Sequence, residues 1–198
     1  MKTMFMVILL GVLGLAGYLA YAVRTVTHDP AIWHVEPLQA LPSDSPNDYR
    51  VALTEFTEHR VDREAPVYAA DARTLAAAFD EFVMAQPRVE RVAGTVDEAW
   101  LTYVQRTETL MMPDYISVRF YDLDPEVAEA QEAETAQATT EGDDASDGEA
   151  SAIVQTSAEP RASIALYSRS RFGYGDMGVN EARVTAWMRA LDSFVVEE

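Results

Sequence analysis

The residues whose types could do chemistry are concentrated near the C-terminus, between Tyr167 and Asn180. Tyr167, Arg169 and Arg171 alternate as side chains on one face of a β-strand do, and Arg119 belongs to the polar face of an earlier alternating run. An arginine- and tyrosine-rich sheet face suits a lipid headgroup, a glycan, an anionic small ligand or a partner protein. The simpler interpretation is a solvated face on which arginines pair with acidic residues across strands.

Residues 173–178 spell GxGxxG between a predicted strand and a predicted helix, the local context of a dinucleotide-binding fingerprint. Only twenty residues follow Gly178. This is too short for the helix, returning strand and acidic ribose ligand that a nucleotide-binding unit needs. The sequence therefore predicts no nucleotide cofactor.

A narrower anion site is compatible with the same stretch. Backbone amides at the start of the last helix, beside Arg169 and Arg171, could hold a phosphate or a carboxylate. The favoured interpretation is structural, because tight turns and helix caps require these residue types in any case. In that interpretation Asn180 caps the helix and Asp176 pairs with Arg171 or Arg183.

Patterns typical of catalysis or metal binding are weak elsewhere in the sequence. The three histidines have no ligand spacing, and the chain has no cysteine, hence no thiolate chemistry and no Cys-ligated zinc. No GxSxG nucleophile motif occurs. The sequence therefore predicts no cofactor, no metal site and no identifiable catalytic residue.

Hydrophobic periodicity predicts how these residues are positioned. Asp71 is an N-cap candidate and Pro87 a stop signal for a helix with an apolar stripe. The predicted elements are a helix over 71–86, strands over 88–96, 99–107, 115–121 and 162–171, and a closing helix over 181–194. We expect an α+β domain over residues 49–196, with two main helices covering one face of an antiparallel sheet.

Residues 124–160 form an acidic stretch that interrupts this domain. Twelve of the acids that give the chain its net charge of −18 lie between Asp122 and Pro160, and this stretch contains no lysine or arginine. With almost no large apolar residues it is predicted to be a disordered insertion between two strands. The remaining chain is only mildly acidic, which argues against binding to nucleic acid because counterion release needs a cationic surface.

The N-terminus predicts attachment to a membrane. Residues 4–23 are uncharged, and twenty helical residues reach about 30 Å, the thickness of the hydrocarbon core. A cleaved signal peptide is the alternative, since Ala20-Tyr21-Ala22 resembles a cleavage site, but the apolar run is longer than a usual signal core. Lys2 before the run favours a cytoplasmic N-terminus and an extracytoplasmic, periplasmic domain.

Residues 25–48 connect this anchor to the domain and contain four prolines. Proline removes a backbone donor and fixes φ, so the sequence predicts an extended stalk next to the membrane. Trp33 in this stretch is expected to pack on the domain or to lie at the lipid headgroups.

Two blocks of the chain resemble the domain of unknown function 1499 family: PRVERVAGTVDEAWLTYVQRTETLMMPDYISVRF from Pro87 and YSRSRFGYGDMGVNEARVTAWMRAL from Tyr167. The second block looks like that family's C-terminal signature, carried by Ser170, Arg171, Gly173, Asp176, Gly178, Val179, Asn180, Arg183 and Val184. The Ala65-Pro66 pair matches an upstream family feature. The resemblance implies a domain from about Asn47 to Leu191 and no activity. Many members of the family carry a cysteine near the start of the domain, and its absence from this chain argues against a thiol role here.

Two function classes follow from the sequence. The preferred one is a non-catalytic, membrane-tethered binding or scaffolding domain of the cell envelope. The alternative is an envelope hydrolase or transferase with a pocket around Arg169, Arg171, Asp176 and Asn180. A deep polar pocket in which carboxylate and arginine side chains converge would favour the enzyme, whereas a flat polar face would favour binding.

Overall fold

The computed structural model describes residues 1–123 and 160–196, which form four α-helices and seven strands. The helices are α1 (Lys2–Arg24), α2 (Pro30–Trp33), α3 (Ala72–Met84) and α4 (Val179–Met188). The strands are β1 (Asp48–Ala52), β2 (Arg63–Glu64), β3 (Val67–Tyr68), β4 (Val89–Thr95), β5 (Trp100–Arg106), β6 (Pro113–Asp122) and β7 (Ala162–Ser170). Short 3₁₀ helices lie at Thr54–Phe56 and Arg189–Phe194.

The strands form one sheet in the order β2-β1-β7-β6-β5-β4, and β3 also pairs with β7. All pairs among the described residues are antiparallel except β1 with β2, which run parallel. The predicted α+β class, with helices on one face of a sheet behind an N-terminal apolar helix, is confirmed. Strand β2 has only two residues, too few to show a hydrophobic period, so its parallel pairing left no signal in the sequence.

The core lies between the sheet and the helices α3 and α4. Alternation along β6 directs Ile116, Val118 and Phe120 toward these helices, as the pattern predicted. Phe79 of α3 is fully buried, with its ring centroid 5.7 Å from that of Phe120 and 6.2 Å from that of Trp187. Burying a side chain of this size contributes about 1.5–3 kcal/mol to stability.

Helix α3 begins where its N-cap residue predicts. The carboxylate of Asp71 accepts a hydrogen bond from the backbone amide of Thr74 at 2.9 Å. A second carboxylate, from Asp122 at the end of β6, accepts from the amide of Ala72 at 2.7 Å. The start of the helix is therefore fixed to the end of a central strand.

Helix α1 has 23 residues and is long and apolar enough to cross a membrane. None of its residues is buried. Such a helix is not explained by packing within the described chain, since its apolar side chains meet no core.

Residues 25–48, predicted to be an extended stalk, instead lie across the face of the sheet that is opposite α3 and α4. We call these residues the covering segment and that face the outer face. The segment follows α1 directly, includes α2 and leads into β1. Side chains from both β5 and β6 contact it, so this segment covers the second face of the sheet in the two-layer domain.

The predicted acidic insertion, residues 124–160, lies outside the described residues except for Pro160. The described ends on either side of it are close together. Asp122 pairs with Ala162 in the β6–β7 ladder, and the amide of Leu123 donates to the carbonyl of Arg161 at 2.8 Å. The strands therefore meet as the two arms of a hairpin.

We expect replacement of residues 124–160 by a short glycine-containing turn to leave the fold intact. Closing a shorter loop costs less entropy, by about 0.6 kcal/mol for each halving, so the free energy of unfolding should stay the same or rise by up to about 2 kcal/mol. Urea denaturation of both chains measures this difference. A large loss of stability would show that the replaced residues contribute to the core.

Candidate functional site

Four of the six predicted site residues lie on the outer face and meet the covering segment there, and Trp33 is at the centre of that contact. The indole of Trp33 stacks on the ring of Tyr115, with centroids 3.6 Å apart and planes 6° apart. The guanidinium carbons of Arg169 and Arg171 lie 4.8 Å and 5.4 Å from the Trp33 centroid. Trp33 thus packs on the domain, the first of the two positions expected for it, and is held by stacking and cation–π contacts.

Side chains of the outer face also donate to backbone carbonyls of the covering segment. Arg169 Nη2 donates to the carbonyl of Ile32 and Arg171 Nη1 to that of Thr27, both at 3.1 Å. The hydroxyl of Ser117 donates to the carbonyl of Trp33 at 3.1 Å. An irregular segment on a sheet needs partners for its carbonyl groups, and these side chains supply them.

Arg119, another predicted site residue, is bound by Glu36 of the covering segment. The carboxylate of Glu36 forms an ion pair with Arg119 and accepts a hydrogen bond from the hydroxyl of Tyr121. The arginine–acid pairing expected of a solvated face is therefore present. The acid comes from the covering segment, however, and not from a neighbouring strand.

The second half of the covering segment packs against Tyr167 and Arg50. The hydroxyl of Tyr167 lies 2.7 Å from a carboxylate oxygen of Asp48 and 3.1 Å from the carbonyl of Leu41. Burial and then the hydrogen bond to Asp48 raise the pKa of Tyr167, so this side chain stays a neutral donor.

Arg50 is 2 % exposed, and its guanidinium carbon lies 4.7 Å from the Tyr167 ring centroid. Its Nη2 donates to the carbonyl of Ala40, while its Nε and Nη1 have no hydrogen-bond partner among the described residues. Burial lowers the pKa of Arg50 from its ordinary value.

Two histidines of the covering segment point into the same contact. His28 Nδ1 lies 2.7 Å from the hydroxyl of Tyr115, and Arg106 Nη2 donates to His28 Nε2 at 3.1 Å. Because arginine only donates, His28 Nε2 must be the acceptor and the ring is neutral with its proton on Nδ1. His34 stacks on Trp100 at 3.9 Å and its Nδ1 lies 2.9 Å from the Thr102 hydroxyl.

The surroundings of both rings disfavour protonation. Burial, followed by Arg106 and to a smaller extent Arg171, lowers the pKa of His28 against an opposing effect of Glu90. Burial also lowers the pKa of His34, against opposing effects of Glu98 and Glu36. In both cases removal from water is the largest cause.

We therefore expect the protein to lose stability on acidification below pH 6.5, the ordinary histidine value. In that range the unfolded chain binds more protons than the folded one, so stability is complete above pH 6.5 and falls as pH drops toward the lower folded pKa values. Urea denaturation across this range measures the effect. A variant with His28→Gln and His34→Gln should lose this pH dependence, whereas His59→Gln, outside the segment, should keep it; equal dependence in all three chains would contradict the assignment.

The last two predicted site residues, Asp176 and Asn180, lie at the start of α4. The N-cap position is Gly178, with φ of +78°, and the capping carboxylate is that of Asp176. Asp176 accepts from the amide of Gly178 at 3.1 Å and from that of Asn180 at 2.7 Å. The predictions that Asn180 caps the helix and that Asp176 pairs with an arginine were therefore wrong, because a left-handed glycine starts the helix two residues earlier.

Asn180 is instead fully buried between α4 and the sheet. Its Oδ1 accepts from the Ser168 hydroxyl at 2.7 Å and from Arg183 Nη1 at 2.6 Å. Its Nδ2 donates to the carbonyl of Asn47 at 2.8 Å and lies 3.1 Å from the Ser170 hydroxyl. The side chain thus joins the last helix, the last strand and the end of the covering segment.

Arg183 extends this network to a buried ion pair that sequence patterns did not reveal. Its Nη2 lies 2.5 Å from Asp114 Oδ2, and its Nε donates to Gln105 Oε1 at 2.7 Å. Arg183 is 7 % exposed and Asp114 is 3 % exposed. The two residues are far apart in sequence, and only the pairing of β6 with β7 brings Asp114 beneath α4.

The predicted site residues consequently fall into two groups. Arg119, Tyr167, Arg169 and Arg171 share the outer face. Asn180 lies on the opposite side of the sheet, where it accepts a hydrogen bond from Ser168, the residue that precedes Arg169 in β7. Asp176 is engaged with the backbone of α4. No group of three or more histidine and acidic side chains within residues 1–123 and 160–196 is placed to hold a metal ion.

Sequence comparison agrees with the extent of this fold. The family model described as "Protein of unknown function (DUF1499)" matches residues 38–191. No curated protein and no solved structure matches the chain. The family match begins within the covering segment and ends in the 3₁₀ helix after α4. It takes in well over half of the chain, and the protein therefore belongs to the DUF1499 family of proteins of unknown function.

Proposed function

We propose that the protein is a single-pass, membrane-tethered, non-catalytic binding or scaffolding domain of the cell envelope. The observation that carries the proposal is the packed connection between α1 and the sheet. Arg106 Nη1 donates to the carbonyl of Val23 within the last turn of α1, and Arg171 Nη1 donates to that of Thr27, both at 3.1 Å. These bonds hold the domain at the end of the helix, whereas a flexible tether would let it diffuse away from the bilayer.

Membrane attachment is supported by the dimensions and surface of α1. Its 23 residues give a length of about 34 Å, slightly more than the hydrocarbon core of a bilayer. Its apolar side chains are exposed along the whole helix, which is favourable only in an apolar medium. Lys2 lies before the apolar run, and this favours a cytoplasmic N-terminus and an extracytoplasmic domain, periplasmic in a Gram-negative cell.

A non-catalytic role is supported by the way the candidate residues are used. Arg169 and Arg171 hold the covering segment, Asp176 caps α4, and Asn180 belongs to a buried network on the other face. The hydrolase or transferase alternative needs these four side chains around one substrate, and their separation by the sheet counts against it.

The partner class that fits this arrangement is an envelope protein or an anionic small ligand. Since the covering segment occupies the outer face, a partner on that side would meet the segment itself. Ile32 and Leu41 are its most exposed large apolar side chains. Such a partner would bind a surface whose distance from the membrane is fixed.

Fractionation of cells tests the tether. We expect the full chain to remain with membranes after a high-salt wash and to be released by detergent, and a chain lacking residues 1–24 to be soluble and folded. Mass determination of the cellular protein is the control. A mature protein that begins at Val23 would establish a cleaved signal peptide and contradict the tether.

Capture from detergent-solubilised envelope tests the binding role against the enzymatic alternative. The bait is the full chain, and the control is residues 1–24 fused to an unrelated soluble domain. We expect a stoichiometric component with the full chain alone. Hydrolysis of an envelope substrate that is lost in both Arg169→Ala and Asn180→Ala, in variants that remain folded, would instead support the enzyme.

A further inference from the structure

Two loops at the membrane-proximal end of the sheet expose large apolar side chains. Residues 107–112 join β5 to β6, and residues 171–178 join β7 to α4; we call them the proximal loops. They are neighbours, because Asp114 pairs with Ser170 and the amide of Arg171 donates to the carbonyl of Pro113 at 3.3 Å. Their exposed apolar side chains are Leu110 (58 % exposed), Phe172 (37 %), Tyr174 (80 %) and Met177 (101 %).

Both loops are fixed to the chain that emerges from α1. The guanidinium Nη1 of Arg106 donates to the carbonyl of Val23 at 3.1 Å and also to that of Met111, in the first loop, at 3.0 Å. Arg171, at the start of the second loop, donates to the carbonyl of Thr27. The end of the anchor and the bases of both loops therefore form one hydrogen-bonded unit.

The dimensions of this unit place the loops at the bilayer surface. Helix α1 is about 34 Å long and exceeds the hydrocarbon core by only a few ångströms. Thr27, the next contact, is the third residue after the end of the helix at Arg24, a reach of at most about 10 Å. The polar headgroup layer is about 5–8 Å thick on each side, and Arg106 reaches the carbonyl of Val23 within the last turn of α1 itself, so this end of the sheet lies at that layer.

We propose that the proximal loops insert their apolar tips into the headgroup region of the same bilayer that α1 crosses, and so fix the orientation of the domain on the membrane. The inference rests on the proposed membrane attachment of α1. Tyrosine is suited to this region because its ring is buried while its hydroxyl stays in water, and phenylalanine, leucine and methionine gain there by burying apolar surface. The loops carry Glu108 and Asp176 beside Arg106 and Arg171, so burial of apolar area and not attraction to anionic lipid is the driving contribution.

Fluorescent labelling of single cysteines tests the insertion, and the natural chain offers a clean background because it has no cysteine. Leu110→Cys, Tyr174→Cys and Met177→Cys report on the loop tips. The matched control is Asp97→Cys, an exposed position in the turn between β4 and β5 at the opposite end of the sheet. Each full-length chain is labelled with an environment-sensitive dye and reconstituted into phosphatidylcholine vesicles.

We expect the loop labels to emit at shorter wavelength than the Asp97 label, to be quenched by nitroxide-bearing lipids and to be protected from a water-soluble quencher. Loop labels as accessible to the aqueous quencher as the control would overturn the inference. Protection from water without quenching by nitroxide lipid would also overturn it, since a second copy of the chain or another protein would then cover the loops. Vesicle flotation separates this result from failure of the tether: a chain that does not float with vesicles contradicts the attachment of α1 itself.

Discussion

Replacement of Arg183 by methionine is expected to lower the free energy of unfolding by about 3–5 kcal/mol, because it leaves the carboxylate of Asp114 buried without its ion-pair partner. The change also removes donors to Asn180, Ser168 and Gln105. For a domain of this size the loss corresponds to a decrease in melting temperature of roughly 6–20 °C. Thermal and urea denaturation of the full chain in detergent measure it.

Two further chains make this test specific. Arg73→Met removes an arginine whose pair with Asp97 is exposed on both sides, and it should change stability by less than about 1 kcal/mol. The double variant Arg183→Met with Asp114→Leu removes both charges and should recover much of the loss. Equal stability of Arg183→Met and Arg73→Met would contradict the assignment of a buried ion pair.

Trp33→Ala is expected to lower the free energy of unfolding by about 3 kcal/mol, the low end of the range for loss of a packed tryptophan. The substitution removes the stack on Tyr115 and the ring against which Arg169 and Arg171 lie. It should also detach the covering segment locally and increase protease cleavage within it. Denaturation and limited proteolysis of the full chain are the measurements.

Ile32→Ala is the matched control, because Ile32 is the preceding residue of the same short helix and its side chain is exposed. It should change stability by no more than about 0.5 kcal/mol. If Trp33→Ala had the same melting temperature and the same protease resistance as Ile32→Ala, Trp33 would not be the residue that holds the covering segment on the sheet.

The sheet and the helices α3 and α4 could be predicted because the hydrophobic pattern of each element is local in the sequence. Ile116, Val118 and Phe120 alternate, and the apolar positions of α3 recur with a helical period, so the sheet, the helices and their packing follow from the sequence. Asp71 was identified as a cap for the same reason, since a cap acts within its own turn.

The covering segment left no such signal. It carries no hydrophobic period, and its docking depends on carbonyl groups that every residue possesses and on side chains from other strands. The arginines and tyrosines of the outer face were identified correctly as one surface, but their partners could not be read from spacing. A tryptophan within a proline-rich stretch was the one hint, because such a residue seldom remains in water.

The start of α4 shows how one backbone conformation changes several assignments. Asn180 has the side chain of a cap, but the left-handed backbone of Gly178 begins the helix earlier and directs Asn180 into the core. Arg183, expected near Asp176, then reaches Asp114 on a strand that is distant in sequence. Residue type alone could not distinguish pairing of Arg183 with Asp176 from pairing with Asp114, because both residues offer a carboxylate to the arginine.

Hydrogen exchange of the full chain in detergent tests most directly whether the covering segment is an integral layer of the domain. The amides of Trp33, His34 and Ala40 donate to the carbonyls of Asp29, Pro30 and Glu36 within the segment. A single helical turn is unstable in isolation, so protection of these amides requires docking on the sheet. We predict exchange far slower than in a free peptide and approaching that of the β6 amides. Exchange of these three amides at the rate of an unstructured chain would contradict the account and support the extended stalk that the sequence predicts.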